Sequence, residues 1–329
     1  MKKIFLILLG VIFLCFLLPI LFTNKFETEQ TSTNENKSEM SKMYDYNKFS
    51  VIKLLHADTG VIEEIPLDTY LYNVVSAEMP ADFEVEALKA QAIVARTYTI
   101  YKANTNELKH GEAHICDKST CCQAWISKED RLAKWKEEVR QSNWDKIVNA
   151  VDSTKGQVVT YEGQPINAFF HSNSGGATEI PLNVWGGSGY PYLQTVETVG
   201  EEAYSQYSSE VVLSKNELLD VLKKNYPDIE INLNIEEDIQ VLERTDSNRV
   251  KKIKFGNITL SGVEARNIFK LRSSNFTVEQ EMDSIKFKVI GYGHGVGMSQ
   301  TGADSLAKQG KTAQEIINHY YAGVEIISY

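Results

Sequence analysis

The sequence predicts an α+β fold, with strands and helices mixed in one large domain. Strand-like apolar runs at 50–56 and 61–65 precede an alanine-rich helix from about Asp82 to Lys102. Later elements lack the regular strand–helix alternation of a parallel α/β sheet. The chain has 329 residues, 43% hydrophobic and 24% charged, which is typical of a globular protein. Its net charge of −10 argues against nucleic acid as a partner, because such binders depend on phosphate contacts.

Residues 1–25 predict a single membrane anchor. Within them, 4–22 carry no charge and are long enough to cross a bilayer as a helix. Two lysines precede this run, which favours a cytoplasmic amino terminus with the rest of the chain outside. A cleaved secretory signal is the alternative, although no Ala-x-Ala site follows. Residues 26–48 are polar and aperiodic and predict a flexible stalk, which leaves 49–329 as the extracytoplasmic domain.

Residues 200–285 differ in character from the rest of this domain. They begin with a helix opened by Ser214, with Glu217 as its capping-box partner, and continue with weak strands. We interpret them as a lobe inserted into the 49–329 domain. Before the lobe, residues 128–142 predict one charged amphipathic helix with Trp135 on its inner face.

Glu78 is the candidate catalytic group. It lies in Ser-Ala-Glu-Met-Pro, just before the alanine-rich helix, at an expected strand-to-helix junction among apolar neighbours. A carboxyl that loses solvent has a raised pKa, which suits a general acid near neutral pH. Lys89 and Arg96 share one face of the next helix and are candidates to orient Glu78 or to bind an anionic substrate group. The alternative is a glutamate that only favours the helix N-terminus.

A candidate metal site lies in the loop that follows this helix. His110, Cys116 and Cys122 are spaced six and six residues apart, with His114 and Cys121 nearby. One histidine and two thiolates suit tetrahedral Zn²⁺. A site closed within one loop predicts a structural role, with a catalytic metal as the less favoured alternative. A disulfide with a spare thiol is the other possibility.

Two glycine-rich segments supply candidate substrate contacts. Ser172, Asn173 and Ser174 precede two glycines, and their side chains are able to hydrogen-bond sugar hydroxyls. Taken alone, such a segment is more often a turn than a site. The second segment contains His294 and Gln300, follows a strand and precedes a helix. His294 is there either as a substrate contact or as a structural hydrogen-bonding group.

Several of these segments match one family in order from residue 70 to the end of the chain. The matching segments are 70–80, 86–98, 116 with 122–123, 169–176, 184–186, 191–193, 291–303 and 320–323. Together they resemble the stage II sporulation protein D family, which also includes amidase-enhancer proteins. The ordered set is specific, although each piece is weak alone. Thr301 stands where the family pattern has an aromatic residue, and 200–285 matches no motif of the family.

The resemblance implies a lytic transglycosylase that cleaves peptidoglycan glycan strands whose peptides have been removed. It implies action in endospore-forming bacteria during engulfment of the forespore, at the cell membrane of the septum. The family's catalytic acid is the glutamate of its Glu-Met-Pro motif, which here is Glu78. Expected partners are the glycan strands, a cell-wall amidase and other engulfment proteins. A non-catalytic glycan-binding module that recruits or stimulates an amidase is the alternative, and a zinc hydrolase is a third.

Overall fold

The computed structural model describes residues 45–105 and 110–329. In these ranges the chain mixes nine α-helices with fourteen short strands, as the α+β prediction requires. Of the described residues, 47–105, 110–161 and 165–329 form one compact unit. Over the described ranges, no helix is both long and apolar enough to cross a bilayer. The predicted anchor at 1–25 and most of the predicted stalk at 26–48 lie outside them.

The helices of the described residues are mostly short. They are α1 (Leu67–Glu78), α2 (Val85–Thr105), α3 (Lys128–Lys134), α4 (Glu137–Asp152), α5 (Pro181–Trp185), α6 (Lys215–Asn225), α7 (Gly262–Ile268), α8 (Gln300–Lys308) and α9 (Ala313–Tyr320). Single 3-10 turns cover Tyr46–Phe49, Glu201–Ala203 and Glu236–Asp238. The predicted helix over 128–142 is two helices, because the chain is extended at Trp135 and Lys136.

The strands of the described ranges form five small sheets. They are β1 (Val51–His56), β2 (Val61–Pro66), β3 (Ile115–Cys116), β4 (Gln157–Tyr161), β5 (Gln164–Pro165), β6 (Phe170–His171), β7 (Ser208–Ser214), β8 (Ile239–Arg244), β9 (Val250–Phe255), β10 (Ile258–Ser261), β11 (Phe276–Gln280), β12 (Ser284–Ile290), β13 (Met298–Ser299) and β14 (Glu325–Ser328). The sheet orders are β2-β1-β3, β10-β9-β8, β11-β12-β7, β13-β6 and β14-β4-β5.

Helix α2 is the centre of the fold. It packs against α1, α4, α8, α9 and strand β4, and its alanines allow these elements to approach closely. The helix begins at Val85 rather than at the predicted Asp82. The backbone N–H of Glu84, just before it, donates to Asp304 Oδ1 of α8 at 2.6 Å. A distant carboxylate thus satisfies a backbone donor at this end.

Residues 208–290 have a hydrophobic core of their own. Strands β7, β11 and β12 form one sheet and β8 to β10 another, and helices α6 and α7 pack with them. The large side chains of this core include Leu218, Leu222, Ile253, Phe255, Phe269, Phe276, Ile285 and Phe287. The capping box predicted at Ser214 and Glu217 is confirmed. This core explains how a segment without family motifs keeps a defined structure.

Candidate active site

Glu78 is the last residue of α1, directly before the extended residue Met79. The expected strand-to-helix junction is therefore wrong, because a helix precedes Glu78. Helix α1 is held by fully buried side chains such as Tyr70, Leu71 and Val74, so its end is fixed. The negative end of a helix dipole disfavours a carboxylate, which favours retention of a proton at this position.

Two hydrogen-bond donors hold the Glu78 carboxyl. The backbone N–H of Ala124 donates to Oε1 at 2.5 Å, and Gln300 Nε2 donates to Oε2 at 3.2 Å. Burial raises the pKa of Glu78, and the two donors, which favour the carboxylate, offset this only in part. A carboxyl with a raised pKa and preformed partners for its ionised state is suited to act as an acid and then as a base.

Glu78 lines an open cleft of about 590 Å³, a size typical of ligand sites. The cleft lies among the segment after α1, the α3–α4 region and the residues around the start of α8. Its lining residues are Ala77, Glu78, Met79, Pro80, Ala81, Asp82, Phe83, Arg131, Trp135, Val139, Asn143, Ser172, Gln206, Gln300 and Thr301. Asp82, expected at the start of the alanine-rich helix, is instead an exposed second carboxylate of this cleft.

Gln123 places the Ala124 donor. Its Nε2 donates to Tyr70 Oη at 2.9 Å and to Thr99 Oγ1 at 2.8 Å. Because Tyr70 lies on α1 and Thr99 on α2, the buried amide ties the loop segment to both helices. The next residue is then held with its N–H directed at Glu78.

Gln300 is placed by a second buried carboxylate, Glu201. Thr301 Oγ1 donates to Glu201 Oε1 at 3.0 Å, and the Ser299 hydroxyl donates to the same oxygen. These two residues flank Gln300, the first residue of α8. Burial alone raises the pKa of Glu201, but hydrogen bonds from Ser174, Ser299 and Thr198 lower it to about 2. Glu201 is therefore ionised at neutral pH and fixes the segment that carries Gln300 to Glu78.

The structure does not bring the two basic candidates to the cleft. Arg96 has no exposed surface, and its NH1 donates to Thr154 O at 2.8 Å and Gln157 O at 3.3 Å, while NH2 lies 3.4 Å from Asp68. Lys89 pairs with Glu86 at 2.7 Å. Among the described residues that line the cleft, neither is present. Arg96 instead ties α2 to the end of α4. Neither Arg96 nor Lys89 is placed to pair with a substrate anion in the cleft, although the sequence suggests such a pairing.

The candidate contacts of the first glycine-rich segment divide into two groups. Ser172 lines the cleft. Asn173 and Ser174 are buried, with Asn173 Nδ2 donating to Thr301 Oγ1 at 2.8 Å and Ser174 Oγ to Glu201 at 2.5 Å. Their expected substrate contacts are therefore replaced by structural hydrogen bonds that hold the start of α8.

His294 lies among aromatic rings rather than in the cleft. Its ring centroid is 5.1 Å from that of Trp185, 5.6 Å from His171 and 6.1 Å from Phe169. Its Nδ1 accepts from the backbone N–H of Val296 at 3.0 Å. Burial lowers the pKa of His294 well below its usual value, so the ring is neutral. Of the two roles left open by the sequence, the structural one fits these contacts.

The predicted metal residues come together with one addition, Cys121. The ligand atoms of His110, Cys116, Cys121 and Cys122 all lie within 4.8 Å of one another. His110 Nε2 is 3.3 Å from Cys122 Sγ and 3.6 Å from Cys121 Sγ. The three cysteines are free, and burial raises the pKa of the Cys116 and Cys122 thiols. His114 instead accepts from the backbone N–H of Lys53.

Several cleft residues were missed by the sequence reasoning. Arg131 and Trp135 are four apart and form a cation–π pair, with the guanidinium carbon 4.6 Å from the ring centroid. Their spacing within a predicted helix is a signal that was open to sequence analysis. Asn143 and Gln206 of the cleft, and Ala124, which donates to Glu78, carry no such local signal, because distant segments place them.

Comparison with known proteins identifies the family. A family model described as stage II sporulation protein matches residues 56–161, which include Glu78, the four candidate metal ligands and Arg131. Stage II sporulation protein D of Bacillus amyloliquefaciens and that of Bacillus subtilis are 35% and 33% identical over 267 residues. The aligned part covers 80% of this chain and 75% of each relative. The chain belongs to the stage II sporulation protein D family.

Two further matches concern the wider family and the lobe. The amidase enhancer of Bacillus subtilis is 30% identical over 311 residues, which cover 79% of this chain and 40% of that protein. A model described as a domain of unknown function matches residues 192–297, a range that includes the predicted lobe. The first model thus covers the region that contains Glu78, and the second covers the region with a separate hydrophobic core.

Proposed function

We propose that this protein is a peptidoglycan lytic transglycosylase that uses Glu78 as its single catalytic carboxyl. The observation that carries the proposal is the raised pKa of Glu78, produced by burial, in a cleft where two donors face the same carboxyl. Membership of the sporulation family supports a substrate in the cell wall. The proposed bond joins N-acetylmuramic acid to N-acetylglucosamine in peptide-free strands.

In the first step, protonated Glu78 gives its proton to the glycosidic oxygen. The bond between that oxygen and the anomeric carbon of the muramyl residue breaks, and the glucosamine chain leaves as an alcohol. Positive charge develops at the anomeric carbon. Glu78 becomes a carboxylate, which the donors from Ala124 and Gln300 stabilise.

In the second step, the carboxylate of Glu78 takes the proton of the muramyl C6 hydroxyl. The C6 oxygen attacks the anomeric carbon of the same ring and closes a 1,6-anhydro bond. No water is consumed, and Glu78 is protonated again for the next cycle. Because the nucleophile belongs to the substrate, its effective molarity is high and a second carboxylate is not required.

Asp82 provides the sharpest test of this mechanism, because a hydrolase needs two carboxylates and the cleft has a second one. The experiment compares the full chain with Glu78→Gln and Asp82→Asn on denuded glycan, with mass spectrometry of the released sugars. We expect anhydro-ended fragments from the parent and from Asp82→Asn. Glu78→Gln is expected to lower their release by about 10²- to 10⁴-fold. Reducing ends that disappear with Asp82→Asn would establish a hydrolase instead.

A glycan-binding amidase enhancer is the second candidate function. The relative named amidase enhancer supports it. In that case a cell-wall amidase would be stimulated equally by the parent and by Glu78→Gln, while neither protein releases sugars. The proposed setting for either function is the septal membrane during engulfment, with the chain held by residues 1–25. Fractionation of sporulating cells that express the chain with and without 1–25 tests this location.

We also propose that His110, Cys116, Cys121 and Cys122 bind a structural Zn²⁺. One nitrogen and three sulfur ligand atoms at these separations suit tetrahedral zinc. Burial alone favours the neutral form of these thiols, whereas a bound cation would keep them deprotonated. The loop it would stiffen leads to Gln123 and Ala124, and so to the donor on Glu78.

Elemental analysis and thermal unfolding test the zinc proposal. We expect about one zinc per chain, a large loss of zinc in Cys121→Ser, and retention in His114→Asn, the matched change in the same loop. Zinc removal is expected to lower the melting temperature of the parent but not that of Cys121→Ser. Sugar release that chelators abolish and Glu78→Gln leaves intact would favour a zinc hydrolase.

A further inference from the structure

Arg131 is a cation of the Glu78 cleft without a carboxylate partner among residues 45–105 and 110–329. Its Nε atom is buried and has no hydrogen-bond partner there. Burial lowers the pKa of the guanidinium, and no acidic neighbour in the described part of the chain offsets this effect. A partly desolvated guanidinium without a partner is unfavourable in the free protein, because its lost hydration is not replaced. Such a group is well prepared to bind an anion that enters the cleft.

Trp135 holds this guanidinium in place. The Arg131 guanidinium carbon lies 4.6 Å from the centroid of the Trp135 ring, and both residues line the cleft. Stacking on an indole restricts the long side chain, so less conformational entropy is lost when a ligand binds. The planar fork of a guanidinium matches the two oxygens of a carboxylate.

Arg131 differs in this respect from the two basic residues that the sequence suggested. Arg96 is buried against backbone carbonyls and Asp68, and Lys89 pairs with Glu86. Both charges are already neutralised within the fold. Of the Arg and Lys side chains in the described part of the chain, Arg131 alone lines the cleft of Glu78.

We infer that Arg131 binds the lactyl carboxylate of a muramyl residue in the cleft and thereby selects glycan from which the peptide has been removed. In peptide-bearing strands this group is a neutral amide, and amide hydrolysis produces the anion. The class of reaction that supplies the substrate is therefore cleavage of the lactyl amide. This inference rests on the proposed function, since it takes peptidoglycan glycan as the ligand.

The test measures equilibrium binding in the Glu78→Gln background, where no turnover occurs, at one fixed ionic strength. Three ligands are compared: denuded glycan strands, the same strands with the lactyl carboxylates converted to methylamides, and peptide-bearing strands. Arg131→Gln is the test variant. Lys134→Gln is the matched control, because it removes one charge from the same helix at an exposed residue that does not line the cleft.

Arg131→Gln is expected to weaken binding of denuded strands by at least about tenfold. It should leave the methylamide strands unchanged, and Lys134→Gln should change neither by more than about twofold. Equal loss for free and amidated strands would overturn the inference, since it would indicate only a packing role beside Trp135. Greater loss for peptide-bearing strands would also overturn it and assign Arg131 to carboxylates of the stem peptide.

Two further measurements keep the inference separate from the proposed function and from folding. Arg131→Lys retains the charge and is expected to recover part of the discrimination, which tests the idea even if Arg131→Gln folds poorly. If binding depends on the carboxylate but the parent releases no anhydro products, the proposed transglycosylase activity is contradicted and the inference about Arg131 stands. If anhydro products are released but Arg131→Gln does not change the discrimination, the inference is contradicted and the proposed activity stands.

Discussion

Two carboxylates, Glu78 and Glu201, are withdrawn from solvent and have opposite pKa shifts. Glu78 accepts two hydrogen bonds, and burial raises its pKa. Glu201 accepts six, from the hydroxyls and backbone groups of Ser174, Gly176, Thr198, Ser299 and Thr301, and its pKa is lowered to about 2. Burial raises the pKa of both carboxyls, so the number of hydrogen-bond donors decides whether the net pKa shift is upward or downward. One carboxyl is left able to exchange a proton, and the other is a fixed anion.

The two groups are also connected. Glu201 holds the hydroxyls of Ser299 and Thr301, and the residue between them, Gln300, donates to Glu78. The fixed anion thus positions a donor of the exchanging carboxyl. The comparison predicts that changes at Glu201 act mainly on stability, whereas changes at Glu78 act mainly on chemistry.

The largest expected effect on stability is that of Glu201→Gln. At pH 7 we expect it to lower the free energy of unfolding by about 3 kcal/mol, because a folded-state pKa near 2 against 4.5 corresponds to stabilisation of that order. The stabilisation is present above about pH 4.5 and is lost as the pH falls through the folded-state pKa. The difference in the free energy of unfolding between parent and variant should therefore be smaller in acid.

Denaturant unfolding from pH 7 to pH 3 measures this effect. Glu202→Gln, an exposed neighbour with the same charge change, is the control and should alter stability by less than about 0.5 kcal/mol. If both variants lose the same small amount, the network around Glu201 does not stabilise the fold and the comparison fails.

The fold was predictable where the signals are local. The capping box predicted at Ser214 depends on Glu217, three positions away, and is observed. Helix α1 was missed, because the apolar residues of Leu67–Glu78 fit a strand or a helix. The start of α2 was placed too early, since a carboxylate from Asp304, remote in sequence, satisfies a backbone donor there.

The candidate site was predictable only in part, because the partners of its residues are also remote in the sequence. Family motifs located Glu78, but its partners Ala124 and Gln300 lie 46 and 222 positions away in the chain. The sequence suggests Arg96 as a substrate contact because it shares a helix face with Lys89, and Ser174 because it precedes two glycines and carries a hydroxyl. Their partners are instead buried groups of the same chain, a main-chain carbonyl and the Glu201 carboxylate. Burial and tertiary hydrogen bonds decide such cases, and neither is visible in a local pattern.

Glu78→Gln is expected to stabilise the protein at pH 7 while it removes activity. Burial penalises the ionised carboxyl, so the raised pKa means that stability is full below about pH 4.5 and is lost as the pH rises through the folded-state pKa. Replacement by a neutral amide removes this loss, so the variant should be more stable than the parent at neutral pH and equally stable in acid. Thermal unfolding at pH 7 and pH 4 measures the difference.

Asp82→Asn is the control for Glu78→Gln, because Asp82 lines the same cleft but is exposed. It should change stability by less than about 0.5 kcal/mol at either pH. A loss of stability in Glu78→Gln at pH 7 would mean that the two donors outweigh burial, and that Glu78 resembles Glu201 after all.

The smallest expected effect on stability is that of Gln300→Leu, which removes one of the two donors to Glu78. A donor to the carboxylate favours the ionised form, so its loss raises the pKa of Glu78 further. As the proposed general acid must be protonated to act, the alkaline limb of the pH–rate profile should move to higher pH, while the free energy of unfolding changes by about 1 kcal/mol or less. Gln309→Leu, at the exposed end of the same helix, should leave the profile in place. An alkaline limb that stays fixed in Gln300→Leu would show that the limb does not report Glu78. A shift to lower pH would show that loss of this donor does not raise the pKa of Glu78, and would contradict the role given to Gln300.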